Sequence, residues 1–203
     1  DFCLSRGLGD VYKRQAKDCQ AAADQLAKLV TDAGVQLKTG FVGTPYLLHV
    51  LSDYGYVSLA WSLLLRENYP SWLYPITKGA TTIWEHWDGI MENGDFWIRD
   101  MNSYNHYAYG AVGDWVYGNA AGIRPLDGYP AYEKISVSPL PDKRLGWLSC
   151  SYRSRHGLIR SDWKLQGDQW RYEIETPVDA VITIAGQKHE VAPGTWIFFS
   201  AVE

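Results

Sequence analysis

The hydrophobic period of this chain changes once, and that change limits what it can fold into. From Ala16 to about residue 124, apolar residues recur at helical spacing; beyond it they recur at every second position. A helical face and a half-buried strand need different periods, so the chain reads as multidomain, α then β, with a boundary at 124/125. Ala22, Leu26, Leu29 and Val30 form one amphipathic face, and Gly34 is a stop signal. Thr44-Pro45 reads as an N-cap with proline at the first helical position, before Leu47, Leu48, Val50 and Leu51. Gly55 then turns the chain into a second short helix carrying Val57, Leu59, Ala60, Leu63 and Leu64. Ser71–Thr82 reads as a loop. A last helix is expected from about His106 to Ala121, closed by Gly122, with Gly110, Gly113 and Gly118 allowing close packing or room for a ligand.

The β half alternates cleanly: Ile135 and Val137; Leu148, Cys150 and Tyr152; Trp170, Tyr172 and Ile174; Ala180, Ile182 and Ile184. Turn signals every 8–12 residues or so predict an antiparallel β-sandwich, with Cys150 as a small core residue. Asp1–Gln15 has no core face. Its Asp10-Val11-Tyr12-Lys13-Arg14-Gln15 resembles the translation of a transposon mosaic-end adapter, and residues 1–15 are read as a non-native scar, with an ordinary basic N-terminal arm as the other reading.

Charge and composition exclude several classes. Nineteen basic against 23 acidic residues leave a net charge of −4, which gives no electrostatic reason to bind nucleic acid or an anionic membrane. No apolar run approaches the ~18 residues that span a bilayer. The five His (His49, His86, His106, His156, His189) do not fall at metal-ligand spacings, and no phosphate loop or nucleophile elbow appears, so no metal or other cofactor is expected. The outlier is aromatic content: 10 Trp and 14 Tyr. Indole rings offer flat apolar faces with one polar tip, which suits both a core and a sugar site.

One short block carries chemistry. In Ile83-Trp84-Glu85-His86-Trp87-Asp88-Gly89 a carboxylate stands between two indoles, surroundings that can desolvate and tune it. Asp88 reads as a turn residue, Glu92 and Asp95 as a solvated turn, and Asp114 as either interior or surface. About 20 residues on, Ser103-Tyr104-Asn105-His106-Tyr107 places one histidine at a helix start. It could be a site residue or a structural hydrogen-bonding group.

These two blocks, together with Gly40-Phe41-Val42-Gly43-Thr44-Pro45-Tyr46-Leu47-Leu48 upstream, resemble bacterial α-L-rhamnosidases of glycoside hydrolase family 78 in content and order. Ser154–Lys164 is similar to a hairpin of that family's C-terminal domain. The resemblance implies a partial (α/α)6 barrel, the six-hairpin glycosidase fold, followed by the sandwich. It implies inverting hydrolysis of terminal α-L-rhamnose from a glycoside or polysaccharide. Glu85 then corresponds to the general base and His106 to a rhamnose contact, with Trp84 and Trp87 as pocket walls.

The sequence departs from the family in one respect. The Asp/Glu-rich segment that holds the family's general acid is not found here. A full barrel needs about 200–240 residues, against 109 from 16 to 124. The chain is therefore expected to be the C-terminal piece of a longer enzyme, inactive alone and partnered by the missing N-terminal half of the barrel. Two other readings stay open: a non-catalytic carbohydrate-binding protein, and another six-hairpin hydrolase.

Overall fold

The computed structural model describes residues 16–100 and 103–202, so the segment read as a scar lies outside the described residues. Two compact units divide between Tyr109 and Gly110.

The first unit is helical at its start. Helix α1 (Ala16–Asp32) is followed by α2 (Thr44–Asp53) and α3 (Val57–Leu64). α1 buries Ala23, Ala27 and Val30, while Leu29 is 56% exposed and Ala22 is exposed too. Of the expected face, Val30 is buried and Leu26 half-buried, while Ala22 and Leu29 give way to Ala23 and Ala27. Two alanines one turn apart give a flat stripe that lets a neighbour approach closely, and the larger Leu29 is turned outward. α2 buries Leu47, Leu48 and Leu51, and α3 buries Ala60, Trp61 and Leu63. Gly55, at φ +91°, makes the tight turn between them, with the Tyr56 N–H reaching back to the Leu51 carbonyl at 2.7 Å.

Thr44 does not cap α2. It is the first helical residue, and its hydroxyl donates back to the Gly40 carbonyl at 2.8 Å. The Thr44 N–H already closes the Gly40–Thr44 turn, so the hydroxyl follows the backbone into it. The Ser71–Thr82 segment, expected as a loop, contains one helical turn, α4 (Tyr74–Thr77). Buried Ser71 accepts the Tyr74 N–H at 3.0 Å and starts it. The expected long helix ending at Gly122 is shorter and uneven: a 3-10 turn (Ala108–Ala111), α5 (Val112–Trp115) and a π turn (Val116–Ala120). His106 precedes all three. Of its glycines, Gly118 packs against Arg124, whose Nε donates to the Gly118 carbonyl at 2.8 Å, but Gly113 faces open space.

The second unit holds two four-stranded sheets. One has the order β1 (Ile123–Pro125), β2 (Ile135–Val137), β6 (Ala180–Ile184), β7 (Gln187–Val191). The other has β3 (Trp147–Ser154), β4 (Gly157–Gln166), β5 (Gln169–Thr176), β8 (Gly194–Ala201). The expected all-antiparallel arrangement is corrected at one place: β2 and β6 run parallel. The chain leaves β2 for the other sheet and returns through β3, β4 and β5, a connection long enough for a parallel pair. Ile135, Val137 and Ile182 from one sheet and Ile159, Trp163, Tyr172 and Ile174 from the other are buried, as the alternation requires. Strand β3 departs from it. Leu148 and Cys150 are only half-buried and Tyr152 is 40% exposed, because β3 is an edge strand. Cys150 is therefore not a core residue, although partial burial still pushes its thiol pKa up.

The last helical turns belong to this unit. Leu140 N–H donates to the Asn119 carbonyl at 3.1 Å, Trp163 Nε1 to Ala120 at 2.9 Å and the Ser161 hydroxyl to Ala121 at 2.6 Å. Orphan carbonyls of a helix end are thus paired by strand residues and by the segment after β2, and the compact boundary lies earlier than the change of hydrophobic period. Gly122 completes the join. It sits at φ +76°, and a Cβ there would lie 2.2 Å from the Ser138 carbonyl carbon. Gly122→Ala should therefore cost about 3 kcal/mol in chemical denaturation. Gly113→Ala, with open space around it, should instead gain about 0.5–1 kcal/mol.

Candidate active site

The described residues between Lys78 and Tyr107 have little regular structure, and backbone clasps hold them. Glu85 N–H donates to the Ser103 carbonyl at 2.9 Å, and the Ser103 N–H returns to Glu85 Oε2 at 3.0 Å. Three residues along, His106 N–H donates to the Ile83 carbonyl at 2.8 Å. The two sequence blocks that carry Glu85 and His106 are therefore tied side by side. Glu85 is half-buried, with one carboxylate oxygen fixed by an amide.

Aromatic rings pack around this clasp. Trp87 stacks on Tyr109 with centroids 3.7 Å apart and meets Trp72 edge-on at 5.4 Å. Trp72 Nε1 donates to the Tyr109 carbonyl at 2.9 Å, closing the trio. Trp84 is buried, edge-on to Tyr104 at 5.2 Å. Tyr104 in turn donates its hydroxyl to the Gly89 carbonyl at 2.9 Å. The His106 ring stacks between Phe41 and Tyr107, with centroids at 5.0 and 5.3 Å. Its Nδ1 accepts the Ala108 N–H at 3.3 Å, so in the neutral ring the proton sits on Nε2.

A mostly apolar cavity of about 240 Å³ opens among Trp72, Ile76, Ile83, Trp84, Trp87 and Tyr109. Of the four site residues expected from sequence, Trp84 and Trp87 line it; Glu85 and His106 do not, although Glu85 lies between lining residues Trp84 and His86. Trp72 and Tyr109 were not singled out from the sequence, and no spacing signal marks them: one stands in the supposed loop, the other in the supposed helix.

Asp88 also means more than its turn position suggested. It is half-buried, and its negative charge bears on three phenols. Burial pushes Tyr109 up, aided by Tyr69 and Asp88. Burial also raises Tyr69 and Tyr74, with Asp88 adding to both. All three phenols therefore stay protonated donors throughout the neutral range. Glu92 and Asp95 are exposed, in the short turn bridged by Ile90 and Phe96. Asp114 is exposed on α5. Among the described residues no group of three or more His, Cys, Asp or Glu is placed to hold a metal, and no helix is long and apolar enough to cross a membrane.

Residues 10–120 match the family model of the bacterial α-L-rhamnosidase six-hairpin glycosidase domain, over half of the sequence. The chain belongs to the bacterial α-L-rhamnosidase family. Residues 122–193 match that family's C-terminal domain. An α-L-rhamnosidase of Streptomyces avermitilis is 45% identical over 145 residues, covering 71% of this chain and 14% of that protein. One from Formosa agariphila is 39% identical over 163 residues, covering 80% of this chain and 17% of that protein. The solved structure of the S. avermitilis enzyme complexed with L-rhamnose aligns with TM-score 0.83 at 35% identity, over 89% of this chain and 20% of that one. The native Aspergillus terreus α-L-rhamnosidase aligns with TM-score 0.85 at 30% identity, over 91% of this chain and 22% of that one. This rhamnosidase-family chain thus spans 14–17% of the length of these two curated relatives.

The clasp gives a direct expectation for Glu85. Glu85→Gln keeps an oxygen for the Ser103 N–H and should melt like the parent. Glu85→Ala leaves that amide without its partner and should lose about 1 kcal/mol in thermal or denaturant unfolding.

Proposed function

We propose that this chain is the C-terminal part of an inverting α-L-rhamnosidase that removes terminal α-L-rhamnose from glycosides or polysaccharides. The helical unit is then part of an (α/α)6 barrel and the two sheets are a β-sandwich. The observation that carries the reading is the clasped Glu85, set between two tryptophans that line a cavity, in a chain of the rhamnosidase family.

In an inverting enzyme two carboxyl groups stand about 6.5–9.5 Å apart, with room for a water between base and sugar. Glu85 is the base. Its carboxylate takes a proton from that water as the water oxygen attacks the anomeric carbon. The glycosidic bond breaks with its electron pair on the leaving oxygen, which receives a proton from the general acid. The Ser103 amide holds one oxygen of Glu85 and so orients the other. His106 offers Nε2–H to a rhamnose hydroxyl, and Trp84 and Trp87 shape the apolar side of the pocket. The general acid comes from the barrel part that the chain lacks, so no residue here is given that role.

The exposed apolar side chains of the helical unit fit a partial barrel. Val42, Tyr46, Ile76 and Tyr107 are 67%, 63%, 60% and 87% exposed. Packing on further hairpins of such a barrel would cover side chains of this kind. Hydrogen exchange should therefore find residues 16–109 less protected than residues 130–200; equal protection counts against the partial barrel.

The catalytic assignment has a sharper test. The chain alone should release no p-nitrophenol from the aryl α-L-rhamnoside at enzyme-like turnover. In the full-length enzyme, Glu85→Gln should lower kcat roughly 10²–10⁴-fold while rhamnose binding survives. With the side chain truncated in Glu85→Ala, azide entering the space left should restore turnover with an inverted product. Near-normal activity per folded molecule in the variant overturns the assignment.

A further inference from the structure

The β3-β4-β5-β8 sheet has an ordered outer face that the rhamnosidase reading does not use. Its strand register fixes which side chains share that face. Trp147 on β3 pairs with Lys164 on β4, Lys164 with Arg171 on β5, and Arg171 with Phe199 on β8. In the next row of the same face, Ser149 pairs with Asp162, Asp162 with Glu173, and Glu173 with Ile197. Side chains alternate along a strand and paired residues project to the same side. Both rows therefore lie opposite buried Trp163, Tyr172 and Ile174.

The face is amphipathic in a specific way. Trp147 stands at one edge, 61% exposed, and Phe199 at the other, 57% exposed. Between them the side chains are polar, and a shallow groove of about 430 Å³ runs beside Trp147, lined by Ser149, Asp162, Lys164, Arg171 and Glu173. The polar groups are held in place. Arg171 donates to Glu173 at 2.7 Å, and Asp162 Oδ1 accepts the Cys150 N–H at 3.3 Å. Two cations and two carboxylates cancel, so the groove favours no ion of either sign. A flat exposed indole beside fixed donors and acceptors suits a ligand with an apolar C–H face and a hydroxyl-bearing edge. The exposed edges lie three strand spacings apart, about 14 Å, which is more than one sugar ring spans.

We propose that this face binds a neutral oligosaccharide: Trp147 stacks on one sugar ring, and Asp162, Lys164, Arg171 and Glu173 hydrogen-bond its hydroxyls and those of the next. The proposal does not depend on Glu85 being a base, because binding is read without turnover.

The test uses the whole chain. Cellohexaose, xylohexaose, mannohexaose and maltohexaose, with a galacturonate hexamer alongside, are titrated while tryptophan fluorescence and amide chemical shifts are followed. At least one neutral hexasaccharide should saturate below about 10 mM. Perturbed amides should cluster on residues 147–173 and 197–199. Affinity should change less than about twofold between about 0.1 and 1 M salt. Trp147→Ala should weaken binding about tenfold or more with an unchanged melting temperature, Trp147→Phe should keep most of it, and Asp162→Asn with Arg171→Ala should weaken it further. Any of three results overturns the proposal: no neutral hexasaccharide binding below that limit, salt-sensitive binding of the galacturonate hexamer alone, or binding indifferent to Trp147→Ala.

Discussion

The reciprocal clasp between Glu85 and Ser103 is the interaction on which the candidate site depends. It joins two stretches that have almost no helix or strand to position them. A backbone amide pairs with a backbone carbonyl in one direction, and the returning amide pairs with a side-chain carboxylate. Each bond is worth about 1 kcal/mol net. Together they set which residues stand side by side: Ile83 and Glu85 on one stretch, Ser103 and His106 on the other. A carboxylate used this way has a structural duty, beside the catalytic one proposed for it.

Around the clasp, rings do the work that regular structure does elsewhere. Trp72, Trp87 and Tyr109 pack on one another, with the Trp72 indole N–H satisfied by the Tyr109 carbonyl. Trp84 and Tyr104 pack edge-on, and the Tyr104 hydroxyl is satisfied by Gly89. Large rigid side chains lose little entropy on ordering, so they can define a cavity on an irregular backbone at modest cost. This accounts for much of the tryptophan excess in the helical unit. In the β unit the same residue type serves differently: Trp163 and Trp170 lie in the core, and Trp147 stands in the open.

The join at the end of the helical stretch follows another rule. A helix end leaves carbonyls unpaired, and here strand residues Ser161 and Trp163 and the segment after β2 pair them. The helix end is thereby part of the β unit's packing, and Gly122 is the residue small enough to let the two backbones meet.

The sequence by itself determined the change from helix to strand, the α2–α3 hairpin, the alternation of β2, β5 and β6, and the blocks that mark the rhamnosidase family. These are local signals: periodicity, turn residues and motifs act within a few positions of where they are written. Tertiary structure decided the rest. It chose Ala23 and Ala27 over Ala22 and Leu29 as the buried face of α1, since burial depends on what a neighbour can approach. It made β2 and β6 parallel, left β3 at an edge with Cys150 half-buried, and broke the last helix into three turns. It brought Trp72, Trp87 and Tyr109 together across 37 residues of chain, a pairing that no periodicity encodes. The motif names Glu85, but only the fold supplies the Ser103 amide that holds it, because that contact closes a loop of 18 residues.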